Sequence, residues 1–278
     1  MYDLGDTLTI ARDCLNAAGA LTNCTTVALT VTKPDGTTDT PAVANPPAQT
    51  GKYTVGYVPS QAGRHQWRMT FTGVVPDQAH GDVFHVWPSA PAWIVGLTEV
   101  KDYLNIDQAT TAHDEELRRT IAGVTMVVED IVGVVARRAF AQTLSGRGTS
   151  TLLLSRRPVI SVSSIVEDSL TLAASDYTIT EHGVLTRVAG GTRWRWPVGV
   201  NNIVVTYIAG RSVVDDNILD GTRDLIRVNF RPQIGGNRSP FDTAAEGRAE
   251  PGQIRLGFFV PNSVMERLHG SARGPHVA

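Results

Sequence analysis

An abrupt change in the spacing of apolar residues divides this chain near residue 90. Before that point apolar and polar residues alternate in short runs, for example over residues 7–11 and 27–32. A period of two is typical of a strand with one buried face. After that point apolar residues recur at steps of three and four, which is typical of helices. A chain with two such periodicities is expected to form two separate cores.

The first part of the chain has the pattern of an all-β domain. Short alternating runs are separated by turns such as Pro34-Asp35-Gly36, where proline sets φ at one corner and glycine accepts positive φ at another. Several such strands predict a β-sandwich over residues 1–88. Pro88 and Pro91 then disfavour both helix and sheet, and we place a linker at residues 89–95.

The second part mixes helices and strands. The sequence predicts helices over residues 97–104, 114–133 and 215–230, with strand-like runs between residues 140 and 210. The longest helix has its apolar side at Leu117, Ile121, Val124, Val128, Ile131 and Val132. From residue 233 to about residue 252 the chain is rich in Gly, Pro, Arg and Ser, which predicts an extended C-terminal arm over residues 233–278. Within that arm, Ser263 is a candidate cap for a brief helix that runs through Leu268. The fold class expected is therefore a multidomain α+β protein.

Bulk properties and motifs exclude several classes of function. A net charge of −2 and a pI of about 6.4 argue against a free-standing nucleic-acid binder. No apolar run reaches the roughly 18 residues that a membrane span needs, and the start has no signal-peptide pattern, so we expect folding in a cytosol. Neither a phosphate-binding loop, a dinucleotide fingerprint nor a nucleophile elbow occurs. We therefore predict no catalytic residue, no metal site and no cofactor.

One stretch of the second part is basic. No acidic residue occurs between Asp130 and Glu167, whereas five arginines do: Arg137, Arg138, Arg147, Arg156 and Arg157. Further arginines follow beside two tryptophans, at Arg193-Trp194-Arg195-Trp196. Two interpretations remain open at this point. The arginines form a basic surface that faces DNA phosphates or an acidic partner, or they are solvated residues of loops and strand ends.

Four segments of the second part occur in an order that is similar to a known family. They are LTEVKDYLNI at residues 97–106, DEEL at 114–117, RPVISVSSI at 157–165 and VVTYIAG at 204–210. Their order and spacing resemble those of the head-to-tail connector (adaptor) proteins of tailed bacteriophages. GFFVP at residues 257–261, followed by MERL at 265–268, resembles the C-terminal arm of related actinophage-type proteins. The resemblance covers about residues 96–268.

This resemblance implies a structural virion protein with its adaptor domain at residues 96–232. Such proteins form a ring, usually of twelve subunits, beneath the portal protein at the neck of the virion. The implied partners are the portal protein, a tail-proximal stopper or tail-completion protein, other copies of the chain, and double-stranded phage DNA that passes non-specifically through the channel. Assembly is expected in the host cytoplasm, with no membrane partner. The N-terminal sandwich resembles the immunoglobulin-like domains that are appended to phage virion proteins.

The C-terminal arm is implied to insert into the portal. Ordering a loose arm costs conformational entropy, so an arm with a few apolar residues is expected to fold on a partner. The predicted portal-binding anchors are Leu256, Phe258, Phe259, Val260 and Leu268.

Two other functions are alternatives to the adaptor. One is a tail or capsid decoration protein whose sandwich binds a cell-surface glycan on Tyr53, Tyr57 and Trp67, which requires these rings to be exposed on one face. The other is a hydrolase with an appended sandwich, for which the sequence lacks a nucleophile constellation.

Overall fold

The computed structural model describes residues 2–74, 76–230 and 260–270 of a multidomain α+β protein. The chain divides into two compact units, Met1–Pro91 and Ala92–Ala278. The boundary falls inside the predicted linker, but the last residues of that linker are not free. Val95 is buried in the core of the second unit, and the N–H of Ile94 donates to Oγ1 of Thr125 at 3.3 Å. The linker prediction is therefore wrong for these residues, whose apolar side chains pack onto the helices.

The described residues of the first unit form strands and loops, with no helix. The strands are β1 (Tyr2–Asp3), β2 (Leu8–Asp13), β3 (Thr26–Thr32), β4 (Thr38–Asp39), β5 (Lys52–Tyr57), β6 (Gly63–Thr72) and β7 (Gln78–Trp87). One sheet has the order β1-β7-β6-β3-β4, and a second sheet pairs β2 with β5. The alternation of β6 buries Trp67, Met69 and Phe71 in the same core as Leu8 and Ile10 of β2. The two sheets thus share one core, as a sandwich requires.

Within residues 92–230 and 260–270, four α-helices form one core of the second unit. They are α1 (Leu97–Leu104), α2 (Asp114–Val132), α3 (Asp216–Phe230) and α4 (Asn262–His269). Of the six apolar positions predicted for α2, five are buried and Ile131 is partly buried against the same core, which confirms the helical interpretation of that pattern. Leu225, Ile226 and Phe230 of α3 lie in the same cluster. Because α2 and α3 pack together, the chain between them is an insertion into a single helical core.

That insertion is a β-rich module with a core of its own. Its strands are β8 (Arg138–Leu144), β9 (Thr151–Leu153), β10 (Val159–Glu167), β11 (Leu170–Thr171), β12 (Tyr177–Ile179), β13 (Val184–Ala189), β14 (Thr192–Arg193) and β15 (Ile203–Ala209). One sheet has the order β11-β10-β15-β8, and β13 pairs with β9, β12 and β14 in another. Residues from both sheets, including Ile165, Leu185, Trp196 and Tyr207, are fully buried together.

The last helix confirms the brief helix predicted from Ser263 through Leu268, but corrects the prediction that this segment belongs to an extended arm. Val264 and Leu268 of α4 are buried against α3, where a Cβ on Gly221 would lie 3.0 Å from Cδ2 of Leu268. Arg267 also forms an ion pair with Asp224 of α3 at 3.0 Å. Residues 260–270 therefore belong to the helical core. The rest of the predicted arm lies outside the described residues.

Two buried tyrosines give the first unit a predicted alkaline limit. Burial, with a hydrogen bond to Cys24, raises the pKa of Tyr53 to about 12. Burial, with the hydrogen bond that Tyr57 donates to Asp39 at 2.8 Å, raises the pKa of Tyr57 to about 12. A tyrosine of an unfolded chain titrates near pH 10. Because the folded-state pKa is raised, the stabilisation is fully present below about pH 10 and is lost as the pH rises through about 12.

We therefore expect the unfolding free energy of the first unit to fall steeply between about pH 10 and 12. Denaturant unfolding followed by phenolate absorbance measures this, because the late-titrating tyrosines ionise only as the unit unfolds. Tyr57→Phe, which keeps the buried ring, is expected to flatten the pH dependence, whereas Tyr177→Phe in the second unit is its control. An unchanged slope in Tyr57→Phe and in Tyr53→Phe would contradict the assignment.

Candidate interaction surfaces

The predicted basic stretch is not one surface, because Arg138 is engaged inside the second unit. Its guanidinium contacts both carboxylate oxygens of Glu129, at 2.9 and 2.5 Å. The same carboxylate accepts hydrogen bonds from the N–H groups of Val135 at 3.0 Å and Ala136 at 2.9 Å. Glu129 is only 7% exposed at its side chain. Arg138 thus anchors the connection from α2 to β8, which corrects the prediction that it faces DNA or a partner.

The neighbouring arginines differ in exposure. Arg157 is half-buried, and its carbonyl accepts the N–H of Val134 at 2.7 Å. Arg156 is exposed, and its guanidinium carbon lies 5.9 Å from the centre of the Phe140 ring. Arg137 is also exposed. Of these four arginines, with Arg138 included, Arg137 and Arg156 are the exposed ones and are accessible to a partner.

Arg147 belongs to a different part of the β-rich module. Four hydrogen bonds hold its loop to the loop that precedes β15, and one of them is donated by the N–H of Asn201 to Oγ of Ser145 at 2.9 Å. The N–H of Trp196 donates to Thr149 at 2.9 Å, that of Gly199 donates to Gly146 at 3.0 Å, and that of Gly146 donates to Oδ1 of Asn202 at 2.9 Å. We call residues 145–149 and 193–202 together the basic tip. The structure thereby brings Arg147 to the same loops as Arg193 and Arg195.

The basic tip also exposes apolar side chains. Trp194 is 59% exposed, whereas its near neighbour Trp196 is fully buried in the module. Val198 and Val200 are 81% and 86% exposed. Arg147, Arg193 and Arg195 are all exposed. A combination of exposed arginine, tryptophan and aliphatic side chains is typical of protein interfaces.

The predicted C-terminal anchors are divided by the structure. Leu268 is fully buried in the helical core, and Val260 is half-buried against the same core. Leu268 therefore has no surface for a partner, which corrects the prediction for that residue, whereas the role of Val260 stays a prediction. Leu256, Phe258 and Phe259 lie outside the described residues.

The three aromatic residues considered for a glycan platform lie in the core of the sandwich. Tyr53, Tyr57 and Trp67 are 1%, 6% and 6% exposed. The hydroxyl of Tyr53 accepts the N–H of Cys24 at 3.0 Å, and the ring of Trp67 lies under Arg12 at 4.8 Å. No exposed platform is formed by these rings.

A buried lysine is a feature that no local pattern in the sequence indicates. Lys101 of α1 is 2% exposed, and its Nζ donates to the carbonyls of Gln108 at 3.2 Å and Thr110 at 2.9 Å. It also forms an ion pair with Asp114 of α2 at 2.5 Å. These contacts fix the polar loop between α1 and α2. They assign Lys101 a structural role inside the helical core.

Within residues 2–74, 76–230 and 260–270, no three His, Cys, Asp or Glu side chains are grouped so that they could hold a metal ion. In the same residues no helix is long and apolar enough to cross a membrane.

Comparisons with known proteins leave the family open. Neither the family models nor the curated proteins include a match to this chain. Among solved structures, one similarity is to the crystal structure of the Lin-41 filamin domain, at 21% identity and a TM-score of 0.26. It covers 31% of this chain and 81% of that chain. A likeness at this level establishes neither the fold nor a function.

Proposed function

We propose that this chain is a structural virion protein, a head-to-tail adaptor of a tailed bacteriophage. It forms a ring beneath the portal protein, links the capsid to the tail and surrounds the DNA exit channel. The observation that carries the proposal is that segments distant in sequence fold as one helical core with a β-rich insertion. These are the segments whose order resembles the adaptor family.

The segment at residues 204–210 supports the proposal because it connects β15 to the helical core. Gly210 has a φ of +138°, and a Cβ there would lie 2.7 Å from Cα of Arg137. Only glycine fits this close approach without strain. The next residue, Arg211, is 7% exposed, donates to the carbonyl of Val132 at 3.0 Å and pairs with Asp215 at 2.9 Å.

The segment at residues 97–106 supports it by tying α1 to α3. Arg223 of α3 forms an ion pair with Glu99 and another with Asp220 at 2.8 Å. Tyr103 of α1 donates to Oδ1 of Asp224 at 2.5 Å. Polar residues of the motif therefore connect helices that are far apart in the chain. A helical core held by such contacts suits a subunit that keeps its conformation within an assembly.

The finer features of the proposal follow from the same resemblance. The N-terminal sandwich is an immunoglobulin-like domain appended to the adaptor, and the chain is located at the neck of the virion. Arg137, Arg147 and Arg156, which are exposed, are the residues of the basic stretch that suit non-specific contact with DNA. Leu256, Phe258 and Phe259 are the main proposed portal anchors, because Leu268 is buried in the core of the chain itself.

Sedimentation of the full chain with and without the portal protein of the same phage tests this proposal. The wild-type chain is expected to join the portal as a complex of several copies. Burying one phenylalanine is worth roughly 1.5–3 kcal/mol, so Phe258→Ser with Phe259→Ser is expected to weaken docking about a hundredfold or more.

The control replaces two exposed apolar residues elsewhere, Val83→Ser and Leu170→Ser, and is expected to dock like the wild type. A wild-type chain that does not bind the portal contradicts the adaptor. Normal docking of the Phe258/Phe259 variant contradicts the anchors alone.

A further inference from the structure

The second unit is divided into two halves of opposite charge. Its helical residues, 96–133, 211–230 and 260–270, contain seven Lys and Arg against thirteen Asp and Glu, a formal charge of −6. Residues 134–210, which form the β-rich module, contain eight Arg against four Asp and Glu, a formal charge of +4. Such a division favours contact between the module of one copy and the helices of another.

The basic tip has no internal compensation of its positive charge. No acidic residue occurs in its two loops. Arg147, Arg193 and Arg195 form no ion pair with any other described residue. An acidic residue next to the tip is Asp168, which contacts it through the backbone: the N–H of Asp168 donates to the carbonyl of Asn202 at 2.9 Å. Three uncompensated guanidinium groups beside an exposed indole suit an acidic protein surface that also has an apolar contact.

A surface of that kind lies where the chain enters α3. We call residues 212–216 the α3 shoulder. Val213 is 78% exposed, and the side chain of Asp215 is 50% exposed beside its buried partner Arg211. Asp216 is exposed in the first turn of α3 and has no ion pair with a described residue. The shoulder thus presents the exposed aliphatic side chain of Val213 beside two exposed carboxylates, of which that of Asp215 is paired with Arg211 and that of Asp216 with no described residue.

The tip and the shoulder lie at opposite ends of one strand. The tip ends at Asn202, directly before β15, and the shoulder begins two residues after Gly210, just beyond β15. A strand rises about 3.3 Å per residue, so the seven residues of β15 separate the two surfaces by roughly 20 Å. A tip therefore does not reach the shoulder of its own chain. It is free to reach the shoulder of a neighbouring copy.

We propose that the basic tip of one copy binds the α3 shoulder of the next copy. Trp194 packs against Val213, and Arg193 and Arg195 face Asp215 and Asp216. Each copy keeps one tip and one shoulder free after the first contact, so the contact propagates until a ring closes. This inference rests on the proposed adaptor function and specifies the interface between subunits of its ring.

Two variants that each lose one surface test the inference. The tip variant carries Arg193→Glu, Trp194→Ser and Arg195→Glu, and the shoulder variant carries Val213→Ser and Asp216→Lys. Sedimentation at low ionic strength, where screening is weak, is expected to show an assembling wild type and two monomeric variants. Because each variant keeps the surface that the other lacks, an equimolar mixture is expected to form a dimer of one copy of each and nothing larger.

The matched control changes the same residue types on the sandwich, with Arg64→Glu, Arg68→Glu and Val83→Ser, all exposed. It is expected to assemble like the wild type. The inference is overturned if either variant assembles normally, if the mixture stays monomeric, or if the wild type does not self-associate with a dissociation constant below about 1 mM. Normal portal docking in those cases leaves the adaptor proposal standing, whereas loss of docking by the wild type contradicts the adaptor itself.

Discussion

Glu129→Ala is expected to lower the unfolding free energy of the second unit by about 3 kcal/mol. The carboxylate is almost completely buried and accepts hydrogen bonds from two backbone N–H groups and from Arg138. The substitution leaves both N–H groups and the guanidinium without their acceptor. Arg138 is one-third exposed and regains some hydration, so the effect falls at the lower end of the range for a broken buried ion pair.

Urea unfolding of the full chain, followed by tryptophan fluorescence, to which the buried Trp196 of the second unit contributes, measures this change. Asp130→Ala is the matched control, because Asp130 is the next residue of α2 and is exposed. Its effect is expected within about 0.5 kcal/mol of zero. Equal stabilities of the two variants would show that Glu129 does not hold the connection between α2 and β8.

Leu268→Ala is expected to destabilise the helical core by about 2–5 kcal/mol, the range for a leucine whose removal leaves a cavity. Leu268 is fully buried against Gly221, where no side chain is available to fill the space. The helix that carries it is only eight residues long, and a helix of that length depends on its packing. We therefore expect α4 to detach before the rest of the unit unfolds.

Hydrogen exchange at α4 and α3 distinguishes this result from a general loss of stability. Leu268→Ala should abolish protection of α4 and weaken protection of the α3 turn around Gly221. Glu266→Ala, at an exposed position of α4, should leave both unchanged. Protection of α4 that survives Leu268→Ala would contradict the packing described here.

The secondary structure follows closely from local patterns in the sequence. The steps of three and four from Leu117 to Val128 predict α2, and the same pattern predicts α3 to within one residue at its start. These elements are predictable because hydrophobic periodicity is set by the element's own geometry. The alternation of β6 is set in the same way.

What a periodic apolar face packs against is not contained in the local pattern. Val264 and Leu268 are spaced as one side of a helix, whether that side faces the chain's own core or a portal. The structure places both residues on α3. The same holds for Glu129 and Asp130, which are adjacent acids in sequence. Only the return of the chain through Val135 buries the first of them.

The basic stretch also shows that the local pattern does not contain the partners of a side chain. The absence of acids between Asp130 and Glu167 makes the arginines look like one patch. Arg138 is compensated by Glu129, just outside the stretch, and Arg147 joins Arg193 and Arg195 from a later loop. Side-chain partners that are distant in sequence are decided by strand pairing.

The location of the chain in a virion tests the adaptor proposal most directly. Antibody against the N-terminal sandwich, applied to intact phage particles and viewed by electron microscopy, is the measurement. An adaptor ring beneath the portal predicts label at one site per particle, at the junction of head and tail. Label that is spread over the capsid surface, or confined to the far end of the tail, would contradict the adaptor and favour a decoration protein.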